Sequence, residues 1–215
     1  MDTMPENEPK WRRRKEARPA EIVDAALCVF ADSGFAAARL EDIARRAGVA
    51  KSSLYLYFET KEELFRAVVR TAISPNIGAI KTAAEAFDGP FKELAPMLLH
   101  RAALLMTSTY MPAVAKMVIG ESRNFPDLAR IWHDDVVSQV IAILRNIIRH
   151  GQARGEIKPG DPRLYAFSLV GPLLMGVLFR DVFAGIAPDP PDLHALAAQH
   201  ARTVLGGLLL QPNRT

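Results

Sequence analysis

The sequence predicts an all-α protein in two parts, a small N-terminal head of three helices and a larger helical body. Apolar residues recur at steps of three and four along most of the 215 residues, and this spacing places them on one face of a helix. From residue 76 onward, no alternation of apolar and polar residues typical of a strand occurs, and proline or glycine marks clear breaks. With 49% hydrophobic residues, the chain can bury a substantial core.

A basic segment precedes the first predicted helix. Residues 10–18 contain six lysines and arginines and one glutamate. We expect residues 1–18 to form a disordered arm whose Arg12, Arg13 and Arg14 could lie along nucleic-acid phosphates. A solvated tail that improves solubility is the alternative.

The head begins at residue 19. Pro19 suits the first turn of a helix, and apolar residues then recur to Phe30, until Ser33-Gly34 ends the pattern. Phe35 is expected to anchor the following turn in the core of the head.

Residues 39–61 carry the pattern of a helix-turn-helix. Leu40, Ile43 and Ala44 form one apolar stripe, Gly48 permits the left-handed backbone at a helix end, and the chain can restart near Lys51. The second helix would present cationic, hydroxyl and aromatic side chains of the kind that contact bases and phosphates in a major groove. With the residue before the first helix, these candidates are Arg39, Lys51, Ser52, Ser53, Tyr55 and Tyr57.

This stretch resembles the DNA-binding motif of TetR-family transcriptional regulators. The matching residues are Ile43-Ala44, Ala47-Gly48-Val49, Leu54-Tyr55-x-Tyr57-Phe58 and Lys61-Glu62-x-Leu64-Phe65. The resemblance implies a DNA-binding domain over residues 19–66, an effector-binding and dimerisation domain over residues 67–215, and a phosphate contact by Lys61. Arg39 and Ala50 stand where the family usually has hydroxyl residues, so we expect the reading helix to lack its side-chain cap.

The helix after the motif has a clear start. Thr60 is a candidate N-cap, and Glu63 three residues later completes a capping box. Apolar spacing continues to Ile73, and Pro75 is expected to kink or interrupt the helix. The rest of the body is predicted to contain helices at 76–87, 90–109, 112–121, 126–151, 161–185 and 190–210.

The last two predicted helices are more apolar than surface helices. Residues 169–179 are apolar on every side, which requires burial all round and favours a partner subunit. The resemblance implies a homodimer that pairs these helices as a four-helix bundle; the core of a large monomer is the alternative. The predicted interface residues are Leu164, Phe167, Gly171, Leu174, Leu178, Leu196, His200, Val204 and Leu208.

The body also contains bulky and adaptable side chains suited to a pocket for a small apolar effector. The resemblance implies such an effector without naming it. Ordinary core packing is the alternative for each candidate. The candidates are Met97, His100, Arg101, Leu104, Met106, Tyr110, Met117, Glu121, Phe125, Trp132, His133, Met175 and Phe179.

Motifs of catalysis and metal binding are missing from the sequence. It contains no glycine-rich phosphate loop, cysteine-pair zinc spacing or His-Glu-x-x-His motif, so we expect no enzyme activity, cofactor or metal. A single cysteine and the absence of an apolar leader favour the cytoplasm, with no membrane association. The expected function is therefore a ligand-responsive repressor of the TetR type. An activator, or a helical carrier or enzyme with a vestigial head, remains the alternative.

Overall fold

The computed structural model describes residues 10–210, with side chains from residue 19 onward. Within these residues the regular secondary structure is helical, apart from one isolated antiparallel bridge between Ile157 and Leu209, and loops join the helices. The helices of the described range are α1 (Lys10–Ala37), α2 (Leu40–Arg46), α3 (Lys51–Tyr55), α4 (Lys61–Val68), α5 (Ser74–Glu85), α6 (Phe91–Ser108), α7 (Met111–Glu121), α8 (Pro126–Trp132), α9 (Ser138–Ala153), α10 (Pro162–Val182) and α11 (Leu193–Leu208). The all-α prediction is confirmed, and the predicted body helices match to within a few residues.

The N-terminal arm differs from its prediction. Helix α1 begins at Lys10, so Pro19 lies inside the helix and not in its first turn. Residues 10–18 contain no glycine or proline and consist mostly of strong helix formers, which explains why the helix extends through them. Residues 1–9 and the side chains of Arg12, Arg13 and Arg14 lie outside the described part of the structure.

An aromatic cluster holds the head together. The rings of Phe30, Phe35 and Phe65 are fully buried, with centroids 5.5 to 6.0 Å apart. Ile43 from α2 and Leu54 from α3 complete this core, as their apolar spacing predicts. Buried aromatic pairs add stability beyond the area that they remove from water, so the orientation of α2 and α3 is set by these contacts.

The start of α4 confirms the predicted capping. The Thr60 hydroxyl accepts a hydrogen bond from the backbone N–H of Glu63 at 3.1 Å. The Glu63 carboxylate accepts one from the N–H of Glu59 at 3.0 Å, one residue before the position usual in a capping box. Arg39 and Ala50, at the N-caps of α2 and α3, make no side-chain cap, as expected from their side chains.

Two π-helical turns lie near the boundary between the head and the body. One, Val69–Ile73, connects α4 to α5, and the other, His133–Val137, connects α8 to α9. The interruption predicted at Pro75 therefore takes the form of a wider turn that ends just before the proline. The turns pack against each other, and the Arg70 guanidinium lies 3.3 Å from the Asp135 carboxylate.

A kink near the end of α1 is held by polar contacts within the head. We call residues 34–38 the elbow; Gly34, with φ 77°, kinks α1 at the position where the sequence pattern predicted its end, and the helix continues to Ala37. The Lys61 ammonium donates to the carbonyl oxygens of Phe35, Ala38 and Ala36 at 2.5, 3.1 and 3.4 Å. Burial lowers the pKa of Lys61.

In the body, α6 packs between α11 and α10, and α9 packs on α10. One face of α10, including Leu169, Leu173 and Val177, lies in this core. Helix α10 is long enough and apolar enough to cross a membrane. The core helix of a globular protein meets the same two criteria of length and composition.

Lys61→Met should lower the free energy of unfolding by about 1–3 kcal/mol, because partly buried carbonyls of the elbow lose their donor. Urea denaturation followed by circular dichroism measures this loss. Lys51→Met is the matched control: its ammonium forms an ion pair with Glu41 at the surface, so its urea midpoint should stay nearly unchanged. Equal midpoints for Lys61→Met and the wild type would contradict the role assigned to Lys61.

Candidate nucleic-acid interface and internal cavity

The head exposes the outer face of α3 to solvent. Helix α3 follows Gly48, whose φ of 66° allows the tight turn from α2. We call the exposed side chains of residues 51–57 the reading surface. Among the predicted contact residues, Lys51, Ser52 and Tyr55 are exposed, while Ser53 and Tyr57 are half-buried. The buried Leu54 anchors the helix in the core, so its outward face is fixed.

The cations beside the reading surface are paired with carboxylates. Lys51 donates a hydrogen bond to Glu41, and this contact raises the pKa of Lys51 and lowers that of Glu41. Arg45 pairs with Asp42 at 3.1 Å, and Arg46 pairs with Asp32 at 3.4 Å. Such exposed pairs contribute little stability, so a polyanion can compete for the same cations at low cost.

Sequence reasoning missed one residue of this surface. Leu56 directly follows α3 and is 83% exposed, the largest exposure among the large apolar residues of the described chain. Tyr55 beside it is 44% exposed. The signal for Leu56 is its position two residues after the buried Leu54. This spacing places the two leucine side chains on opposite faces of a helix.

Lys61 lies away from the reading surface. Its ammonium binds the elbow carbonyls and lies 4.4 Å from the centroid of the Phe35 ring. In this conformation the ammonium is engaged by the elbow, and the phosphate contact stays a prediction. The family motif identifies this lysine correctly, but its direction depends on a turn that is 23 to 26 residues away in sequence.

An apolar cavity of about 90 Å³ lies inside the body. Its walls come from α5, α6, α9 and α10, and they carry no charged side chain. The lining residues are Ile77, Ile80, Phe91, Ala95, Leu98, Leu99, Ala102, Met106, Val140, Ile143, Leu144, Ile147, Leu169, Val170 and Leu173.

A second space lies against one side of the cavity. This recess, of about 270 Å³, shares Phe91, Ile143 and Ile147 with the cavity. Its outer wall is polar and includes Lys81, Glu85, Asn146, His150, Arg154 and Glu156. Two of its cations are paired, Lys81 with Glu85 at 3.8 Å and Arg154 with Glu156 at 2.7 Å. The arrangement suits a molecule with an apolar segment and a polar end.

Most predicted pocket residues lie elsewhere, and Met106 is the one that lines the cavity. Met117 is buried between head and body, Phe125 and Trp132 pack on the same cluster, and the Phe179 ring contacts that of Phe183 at an angle of 52°. Met97 packs beside Leu94 and Leu98. The remaining predicted residues that are exposed are His100, Arg101, Leu104, Tyr110, His133 and Met175. The predicted residues of α6 lie mostly on its exposed side, whereas its buried stripe includes Phe91, Ala95, Leu98 and Leu99, so their place in an effector pocket stays a prediction.

The predicted dimer surface is divided by the fold. On α10, Leu164, Phe167, Gly171 and Leu174 are exposed, and Leu178 is half-buried. On α11, Val204 and Leu208 are only 8% and 5% exposed within one chain. Within one chain α11 turns this stripe toward α6, so both residues belong to the core of the body, and their contact with a partner stays a prediction.

The other two α11 residues are partly covered. Leu196 packs on the core of the body, and His200 Nε2 lies 3.2 Å from the carbonyl oxygen of Leu169.

Comparisons with known proteins agree with this architecture. Residues 22–68 match the bacterial regulatory proteins of the tetR family, and residues 96–199 match the tetracyclin repressor-like C-terminal domain. The HTH-type transcriptional regulator RutR of Escherichia coli K12 is 40% identical over 163 residues, covering 74% of each chain. The fatty acid metabolism regulator protein of Bacillus subtilis is 26% identical over 198 residues, covering 91% of this chain and 98% of that protein.

A solved structure shares the fold. The crystal structure of the transcriptional regulator FadR from Bacillus subtilis, in complex with stearoyl-CoA, superposes with a TM-score of 0.73 at 24% identity, covering 87% of this chain and 98% of that chain. The exposed reading helix, the helical body and these matches lead to one conclusion: the chain belongs to the TetR family of DNA-binding transcriptional regulators.

Proposed function

We propose that this protein is a repressor that binds a palindromic operator as a homodimer in the cytoplasm and leaves it when an apolar effector enters the cavity. The observation that carries the proposal is the continuity between the head and the cavity. Helix α4 of the head continues through a π-helical turn into α5, whose Ile77 and Ile80 line the cavity. If α5 has a second orientation that the ligand binds with higher affinity, the ligand would shift α5, and with it the head, toward that orientation.

The experiment that tests this function uses duplexes from upstream of the protein's own gene. Fluorescence anisotropy at physiological salt should show tighter binding to one of them than to a scrambled duplex, by about a thousandfold or more. Equal affinity for both duplexes would contradict a sequence-specific regulator.

For the operator contacts, we retain Arg39, Lys51, Ser52, Ser53, Tyr55 and Tyr57 as candidates. Arg12, Arg13 and Arg14 stay candidate phosphate contacts, because the basic N-terminal part of α1 leads into the head. We add Leu56 to these candidates. An exposed leucine beside two tyrosines can make an apolar contact with the methyl group that thymine presents in the major groove.

Replacing single operator thymines by deoxyuracil removes that methyl group without changing any hydrogen bond. At one half-site position, we expect the wild type to lose about fourfold in affinity, the equivalent of one buried methyl group. Leu56→Ala should lose this sensitivity, and Leu56→Met should keep it. Identical deoxyuracil penalties in all three proteins would contradict a contact by Leu56.

The homodimer is proposed to form on the exposed face of α10. This face carries four exposed apolar side chains, separated by three, seven and one residues: Leu164, Phe167, Leu174 and Met175. Val182, seven residues later, extends the face. Exposed apolar residues that follow helical spacing favour a helical partner. A second copy of the chain presents the same face, so a two-fold arrangement would cover both.

Met175 is 62% exposed in the single chain, and Met175→Glu would place a carboxylate in that contact. We expect native mass spectrometry to show a species near twice the 23.7 kDa chain mass for the wild type and monomer for the variant, since unpaired buried charge is costly. Ile119→Glu on α7, at a similarly exposed apolar position, is the control and should stay dimeric. A dimeric Met175→Glu would contradict the proposed interface.

The proposed effector has an apolar chain and a polar or anionic end. The uncharged walls of the cavity suit the chain, and Lys81, His150 and Arg154 of the recess suit the other end. The related Bacillus subtilis structure contains stearoyl-CoA, which makes a long-chain acyl thioester the first compound to test.

Leu144→Trp should fill part of the cavity and exclude an acyl chain. In the anisotropy assay, stearoyl-CoA should release the wild type from its operator, and the variant should need at least about tenfold more ligand. Leu104→Trp, on the exposed side of α6, should behave as the wild type. The same dose response for Leu144→Trp and the wild type would place the ligand elsewhere.

A further inference from the structure

Glu121, at the C-terminal end of α7, reaches from the body to the backbone of the head. One oxygen of its carboxylate accepts a hydrogen bond from the N–H of Phe35 at 3.0 Å, and the other accepts one from the N–H of Ala36 at 2.6 Å. Both oxygens are thus held by consecutive peptide groups of the elbow. Hydrogen bonds to a charged acceptor are stronger than neutral ones, so this is a strong polar link between the two parts.

The elbow is shaped to receive this carboxylate. A Cβ atom at Gly34 would collide with the carboxylate of Glu121, and the positive φ of Gly34 is itself strained for other residues. Phe35, the next residue, is fully buried, and its ring lies 5.1 Å from that of Phe125. Polar and aromatic contacts therefore fix the same turn against the segment that follows α7.

The opposite edge of the elbow is held by the head itself. Lys61 donates to the carbonyl oxygens of Phe35 and Ala38, while Glu121 accepts from the N–H groups of Phe35 and Ala36. The peptide groups of the elbow thus lie between an ammonium and a carboxylate. The two charges thus bind opposite ends of the peptide groups in one turn.

Two routes run from the cavity to the elbow. Lys61 begins α4, which continues through the π-helical turn into α5, and Glu121 ends α7, which follows α6. Both α5 and α6 line the cavity. A shift between α5 and α6 would therefore pull on the two sides of the same turn.

We propose that Glu121 is a positioning residue that sets the angle of the head on the body and, through it, the separation of the two reading helices. This inference rests on the proposed homodimer, in which that separation must match the distance between half-sites. Without the carboxylate, the head would remain folded on its aromatic core but would turn more freely about the elbow. The variant should then tolerate operators whose half-sites are wrongly spaced.

The test compares spacing tolerance in full-length proteins. The duplex selected by the wild type from random sequences is lengthened or shortened by one and two base pairs at its centre, and affinities are measured by anisotropy. We expect the wild type to lose about tenfold or more per change, and Glu121→Ala to lose about threefold or less. Glu121→Gln keeps the shape of the side chain and should lie between them. Asp127→Asn, at an exposed ion pair with Arg130 on α8, should match the wild type.

A merely structural role would not give this result. Loss of folded protein lowers the active fraction for all duplexes equally and leaves the ratio between spacings unchanged. If Glu121→Ala fails to fold, the inference is tested by the ratio of affinities that Glu121→Gln shows for duplexes of different spacing. A wild-type ratio in a folded Glu121 variant would overturn the inference. Monomeric wild-type protein in native mass spectrometry would instead overturn the proposed homodimer, which separates the two failures.

Discussion

The polar contacts at the elbow link the head to the body, and they act together with the apolar cluster that the two parts share. The backbone of α1 departs from helical geometry at Gly34, and peptide groups that are partly buried are costly when unpaired. Lys61 and Glu121 supply the partners from opposite sides. One residue belongs to the head and the other to the body, so satisfying the elbow also docks the head.

Continuity along the chain links the cavity to this junction. The two π-helical turns pack on each other through Arg70, Ser74 and Asp135: the Ser74 hydroxyl lies 3.2 Å from the carbonyl oxygen of Asp135. π-Helical turns within α-helices occur often at functional sites. Here they stand between α4 and α5 and between α8 and α9, so both helices that leave the junction enter the walls of the cavity. This geometry supports the proposed link between effector and operator.

Helix α10 divides its apolar residues between two surfaces. Leu169, Leu173 and Val177 complete the core of one chain, while Leu164 and Met175 face outward. A sequence window in which every residue is apolar does not separate these roles, because residues of the same type occupy the buried and the exposed face. The fold makes the division through the packing of α6, α9 and α11 on one side of α10.

The sequence alone determined the helices and the family. Apolar spacing, Gly48, the Thr60 cap and the breaks at proline are local signals, and local signals act through the nearest turn of backbone. They were sufficient for the all-α fold, the helix-turn-helix and most of the reading surface.

The tertiary structure decided what each helix faces and where the long polar side chains reach. The inward stripe of α6, the burial of Val204 and Leu208, and the grip of Lys61 and Glu121 on the elbow all depend on partners distant in sequence. An amphipathic stripe indicates that a face is buried but not which neighbour covers it. A lysine or glutamate side chain can reach a phosphate, solvent or a peptide group, and the packed fold selects among them.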